Sequence, residues 1–81
     1  MIFQLKIHSK KMNLKMDSSD YYFDSLQTLF AWVKSRIDLP EQNIIDMAYF
    51  FKNGDIYIIE SGDTTIYYEL LEIQPYTMGD I

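Results

Sequence analysis

One stretch of the sequence carries a long, unbroken helical stripe, and this stripe limits the folds open to the chain. Its apolar residues recur at the spacing of one helix face, at Leu26, Leu29, Phe30, Val33 and Ile37. Asp24 and Gln27 are spaced like a capping box at its start. The pattern predicts a helix over 24–37, about 21 Å long. Such a helix can cover one face of a sheet but not both.

The N-terminal residues have the period of a strand. Phe3, Leu5 and Ile7 alternate with polar residues, and the alternation resumes over 11–16 after the polar break at Ser9-Lys10. These two runs predict a hairpin of two strands. The following cluster over 17–20, Asp-Ser-Ser-Asp, favours a turn because its short side chains bond to the local backbone.

The segment over 39–52 has two interpretations. Ile44, Ile45, Met47, Ala48 and Phe51 fit a helical stripe, whereas the residues over 47–51 have the composition of a strand. Asn53-Gly54 comes next, and Asn-Gly between apolar runs is a strong hairpin signal. We therefore predict a short helical turn over 40–43 and a strand over 46–52.

The C-terminal third predicts two more strands. A turn at Gly62-Asp63 separates an apolar run that begins at Ile56 from a second run over 64–73, which Pro75 is expected to end. The predicted fold is α+β, a five-stranded antiparallel sheet with one helix packed on one face, in the order β-β-α-β-β-β. The 81 residues are expected to form a single small acidic domain over 1–81.

Both faces of the predicted sheet are apolar. If both turns have two residues, one face collects Ala48, Phe50, Tyr57, Ile59, Ile66, Tyr68 and Leu70. The other collects Met47, Tyr49, Phe51, Ile56, Ile58, Tyr67 and Leu71, with Glu60 and Glu69. Three explanations compete for the second face: the N-terminal hairpin folds over it in a curled sheet, a copy of the chain covers it, or another protein does.

Charge is distributed unevenly along the chain. The formal net charge is −5, from 12 acidic and 7 basic residues, yet residues 1–16 contain four lysines and no acid. An acidic protein repels phosphate, so we expect no direct binding of nucleic acid. We expect the lysine-rich segment and the acidic C-terminal strands to neutralise each other as neighbours in one sheet.

The inventory of reactive residues is small. The chain has no cysteine and one histidine, His8, which falls on the polar face of the first predicted strand. No phosphate-binding loop or catalytic motif is present, and turn formation accounts for Asp17, Asp20 and Asp24 better than calcium binding does. We expect no catalytic residue, cofactor or metal. No apolar run is long enough to span a membrane and the N-terminus lacks a secretion signal, so a cytoplasmic location is expected.

These features favour a non-enzymatic protein-binding module. Within this class we favour an inhibitor that occupies the basic surface of a nucleic-acid-handling protein, steered there by an acidic rim. The rim consists of Asp55, Glu60, Asp63, Glu69 and Glu72. In size and charge alone, the chain is similar to phage-encoded anti-restriction and anti-CRISPR proteins and to antitoxins. The predicted partner-binding residues are Tyr49, Phe51, Ile58, Glu60, Tyr67 and Glu69.

Two alternatives stay open. The chain could form a structural homodimer or a small subunit of a larger assembly, by pairing sheet faces or edges. It could also bind single-stranded nucleic acid by stacking bases on Tyr49, Phe51 and Tyr67, with Lys6, Lys11 and Lys15 as a basic row. The net charge disfavours this last function.

Overall fold

A computed structural model describes residues 2–11 and 16–73 of the chain. Its elements are β1 (Ile2–Lys11), β2 (Asp17–Phe23), α1 (Leu26–Arg36), α2 (Glu41–Lys52), β3 (Tyr57–Ser61) and β4 (Thr64–Ile73). The described strands form one antiparallel sheet in the order β2-β1-β4-β3. The class is α+β as predicted, but the five-stranded sheet with one helix is wrong, because this part of the chain has four strands and two helices.

Helix α2 replaces the predicted strand over 46–52. Ile44, Met47 and Phe51 are buried on one side of this helix, so the helical interpretation of the segment was the right one. Pro40 precedes the first turn, and its carbonyl accepts the backbone N–H of Asn43 at 3.0 Å. Glu41 in the first turn complements the positive end of the helix dipole. The short turn predicted over 40–43 is the beginning of this longer helix.

Asn53-Gly54 ends α2 and does not form a hairpin turn. A type I′ turn needs positive φ at both residues, whereas Asn53 has φ of −91° and only Gly54, at +77°, is left-handed. The N–H of Asp55 donates to the Phe50 carbonyl at 2.9 Å, and the N–H of Gly54 donates to the Phe51 carbonyl at 3.1 Å. These two bonds form a Schellman motif, which ends a helix. Both this motif and a hairpin turn need a left-handed residue, and glycine suits both.

Strand β2 includes the Asp-Ser-Ser-Asp cluster that was predicted to turn. It is an edge strand whose backbone pairs with β1, from Ser9 opposite Asp17 to Phe3 opposite Phe23. An edge strand can contain polar residues because its pairing uses backbone groups. Aromatic packing holds β2 against α1, since the ring centroids of Tyr21 and Trp32 lie 4.5 Å apart. Most of the predicted second strand, and Pro75, lie outside the described residues.

Helix α1 begins slightly later than predicted. The Oγ of Ser25, and not Asp24, caps it by accepting the backbone N–H of Thr28 at 3.1 Å. The predicted stripe is confirmed at its centre, where Leu29 and Val33 are fully buried. Ile37 follows the last helical turn as the C-cap.

Both helices pack on the same face of the sheet. The buried cluster combines Leu5, Tyr57 and Tyr68 from the sheet with residues from both helices: Leu29, Val33, Ile44, Met47 and Phe51. Helix α1 contacts β1 and β2, and α2 contacts β3 and β4. The curled-sheet explanation is wrong for the described residues, because β1 lies in the sheet, paired along its whole length with β4, and not across the second face.

Candidate protein-binding face

The sheet has one face that no described helix covers. Directly paired residues of antiparallel strands point to the same side, so this face consists of the even-numbered residues of β1, β2 and β3 and the odd-numbered residues of β4. We call it the open face. The opposite face, which carries the helices, is the covered face.

The register between β3 and β4 agrees with the prediction in every pair. Ser61 lies opposite Thr64, Ile59 opposite Ile66, Ile58 opposite Tyr67 and Tyr57 opposite Tyr68, around the turn in which Gly62 has φ of +61°. Tyr57, Ile59, Ile66, Tyr68 and Leu70 therefore share the covered face, as grouped from the sequence. Ile58, Glu60, Tyr67, Glu69 and Leu71 share the open face.

Of the six predicted partner-binding residues, the sheet brings four together. Ile58, Glu60, Tyr67 and Glu69 lie on the open face, where Ile58 is 49% exposed. Tyr49 and Phe51 are on α2, so their assignment to this face is wrong. Tyr49 points to solvent with 67% exposure, whereas Phe51 is buried in the core with its ring 6.2 Å from that of Phe30.

Other strands contribute residues to the open face that the sequence prediction of the site missed. Gln4 lies between its cross-strand neighbours Tyr22 and Leu71 and is buried, while the Tyr22 side chain is 61% exposed. Ile2 lies opposite Ile73 at the end of the sheet. The aromatic run at 21–23 is typical of a strand, and this signal could have placed Tyr22 on the sheet.

The open face carries both apolar and charged side chains. Tyr67 lines two shallow grooves, one with His8, Met16, Ile56 and Glu69, and the other with Lys10, Glu60, Gly62, Asp63 and Thr65. Exposed apolar side chains on the face or at its margin are Ile2, Met16, Tyr22, Ile56, Ile58, Leu71 and Ile73. Exposed apolar side chains gathered on one face of a sheet are typical of a contact surface.

Charges of both signs lie on the open face. Lys6 is paired across the strands with Asp20 on one side and Glu69 on the other, so β1 and the acidic C-terminal strand β4 are neighbours in one sheet, as predicted. The strands place two lysines, Lys6 and Lys10, against three acids, Asp20, Glu60 and Glu69. The face is therefore close to neutral.

The predicted acidic rim is divided among different parts of the molecule. Glu60 and Glu69 are on the open face, but Glu72 is on the covered face, opposite Phe3. Asp63 lies in the turn between β3 and β4, and Asp55 lies just after α2. No single surface collects all five acids.

The described residues show no arrangement suited to metal binding. No group of three histidine, cysteine, aspartate or glutamate side chains among them could hold an ion. Asp17 and Asp20 point to opposite faces of β2 because they are three residues apart in a strand. Burial, with a smaller electrostatic contribution from Tyr57, raises the pKa of Tyr68, but this ring belongs to the core.

The comparisons with known proteins add no relative. No helix in the described part of the chain is long and apolar enough to cross a membrane. No protein-family model, no curated protein and no solved structure that was compared with the chain matches it.

Proposed function

We propose that the protein is a non-enzymatic protein-binding module whose binding surface is the open face. The observation that carries this proposal is the position of both helices on one side of the sheet, which leaves exposed apolar side chains such as Ile58 and Leu71 on the other. Burial of these side chains against a partner would supply the free energy of binding.

The charge distribution bears on the kind of partner. A face with interleaved lysines and acids suits a protein surface of mixed charge better than a nucleic acid or a strongly basic surface. Because the acidic rim is divided, the geometry gives little support to electrostatic inhibition of a nucleic-acid-handling protein through this face. Tyr22 and Tyr67 favour a protein partner, since tyrosine provides a large contact area at low entropic cost.

Site-specific photo-cross-linking tests the proposal. Benzoylphenylalanine is placed at position 58 on the open face or, as a matched control, at the exposed position 27 on the outer side of α1. Cells that produce the protein are irradiated, and the cross-linked peptides are identified by mass spectrometry. We expect position 58 to yield an adduct with one defined surface of one protein, which excess unlabelled protein abolishes. Equal yields from positions 58 and 27 would contradict the proposal.

A further inference from the structure

Building on the proposed protein-binding function, we propose that the partner of the open face is a second copy of this chain. The two sheets would pack face to face about a two-fold axis. This axis lies between the two sheets, runs parallel to the strands, and passes over the gap between β1 and β4. Such an axis places β1 of one protomer over β4 of its partner and keeps every residue at the same height along the strands.

The charges of the open face are complementary to themselves under this operation. Lys6 and Glu69 are paired across β1 and β4, so they share one height. The rotation therefore lays Lys6 of each protomer over Glu69 of the other. The four side chains form a square in which like charges occupy opposite corners, so that each charge has an opposite charge in its own sheet and another in the facing sheet.

The apolar side chains at the other end of the open face are also complementary to themselves under this rotation. Ile2 is paired with Ile73, so the rotation lays Ile2 over Ile73 in both halves of the interface. At the next height, Gln4 lies over Leu71. Burial of the partly exposed side chains of Ile2, Leu71 and Ile73 then occurs twice in one dimer.

The other two-fold arrangement of facing sheets is disfavoured by charge. An axis that runs across the strands stacks β1 on β1 and β4 on β4. Where such an axis crosses at the height of the Lys6–Glu69 pair, Lys6 would lie over Lys6 of the partner and Glu69 over Glu69 of the partner. Like charges placed opposite each other destabilise an interface, so the axis along the strands is the one that fits.

The size of the face is sufficient for a weak dimer. Strands β1 and β4 each have 10 residues. With a rise of about 3.3 Å per residue and about 4.8 Å between strands, the four-stranded face measures at most about 600 Å². Two such faces bury at most about 1,200 Å², which is the lower end for specific interfaces. An interface of this size is typical of weak association.

Solution mass and charge reversal test the dimer. Light scattering on the purified protein should show a mass that rises from 9.7 kDa toward twice that value as the concentration increases. Lys6→Glu or Glu69→Lys alone should weaken association at least tenfold, and the double exchange should restore it. Lys11→Glu makes the same charge change on the covered face of the same strand and should leave the mass curve unchanged. Circular dichroism establishes that each variant is folded.

Zero-length cross-linking of the wild-type protein gives a test without any substitution. A mixture of ¹⁴N- and ¹⁵N-labelled protein is treated with a carbodiimide, which joins lysine amines to carboxylates in direct contact. We expect a mixed-label peptide that links Lys6 to Glu69, since only contact between protomers combines the labels. Mixed-label links that join other residues, without this one, would overturn the arrangement.

The two proposals fail in different ways. A mass of 9.7 kDa at every concentration overturns the dimer. If position 58 then still yields an adduct with a different protein, the protein-binding function stands without the second copy. If position 58 yields no more adduct than position 27 and the mass stays monomeric, both proposals are wrong.

Discussion

At the scale of single residues, Tyr57 connects three elements of the fold. Its hydroxyl accepts a hydrogen bond from the Asn43 Nδ2 of α2 at 3.0 Å. Its ring lies 5.3 Å from that of Phe50 on α2 and 6.4 Å from that of Tyr68 on β4. A buried tyrosine hydroxyl needs a polar partner, and Asn43 provides one at the start of the helix. This residue therefore holds α2 in position over β3.

Asn43→Ala should lower the free energy of unfolding by about 1 kcal/mol, because it leaves the partly buried Tyr57 hydroxyl without this bond. Urea denaturation of Asn43→Ala, Tyr57→Phe and the double variant measures the coupling, and we expect the two effects to be less than additive. Gln42→Ala is the matched control, since Gln42 donates to Asp46 on the exposed side of the same helix at 3.0 Å. Full additivity at 43 and 57 would show that the bond contributes nothing.

Tyr68 makes the stability of the fold depend on pH in the alkaline range. Its pKa is raised above the ordinary value of 10.0 by burial and, secondarily, by Tyr57. The folded protein thus holds this proton to higher pH than the unfolded chain does. The contribution of Tyr68 to the free energy of unfolding is fully present below pH 10.0, the ordinary pKa of a tyrosine. As the pH rises from there through the raised pKa of Tyr68, the free energy of unfolding falls.

Urea unfolding measured from about pH 8 to about pH 11 tests this assignment. We expect Tyr68→Phe to reduce the fall in stability at the alkaline end relative to the wild-type protein. Tyr22→Phe, which changes an exposed ring on the open face, should retain the wild-type fall. An unchanged slope in Tyr68→Phe would mean that another group causes the pH dependence.

At the scale of elements, the parts predicted correctly are those in which local pattern and tertiary packing agree. The β3–β4 pairing follows from a two-residue turn and the period of two, and both are present in the sequence itself. Helix α2 was mistaken because Gly54 supplies a left-handed residue that suits a hairpin and a helix end equally well. Strand β2 was missed because a polar edge strand gains its pairing from β1, which local sequence does not reveal.

The end of α2 can be tested at Gly54, whose φ of +77° is left-handed and whose missing Cβ would meet no atom within 4 Å. Gly54→Ala should therefore lower the free energy of unfolding by about 1–2 kcal/mol through backbone strain alone. Gly54→Asn should have a smaller effect, since asparagine adopts this conformation more readily. Chemical denaturation of both variants supplies the comparison. Equal stability of the glycine and alanine proteins would be inconsistent with a left-handed helix end.

At the scale of the whole molecule, the topology produces a sheet with two unlike faces. The order β2-β1-β4-β3 places the first and last described strands at the centre, and the connection through α1 and α2 lies entirely on the covered face. The sequence alone indicated that one face would lack a helix, although it assigned too few helices and placed Tyr49 and Phe51 in the sheet. The open face is still present after this correction, because the register of β3 and β4, which was predicted correctly, places Ile58, Tyr67 and Glu69 on the side without helices.

A dimer formed by folded protomers links stability to protein concentration. Association through the open face would stabilise the folded state by mass action, so the midpoint of thermal unfolding should rise with concentration over the range in which the mass increases. Lys6→Glu should shift this dependence to higher concentration, in proportion to the weaker association, while Lys11→Glu should leave it unchanged, because only Lys6 is on the open face. Differential scanning calorimetry at several concentrations measures both. If the mass doubles while the midpoint stays constant, association does not favour the folded state, and the contact must form through some route other than the native sheet.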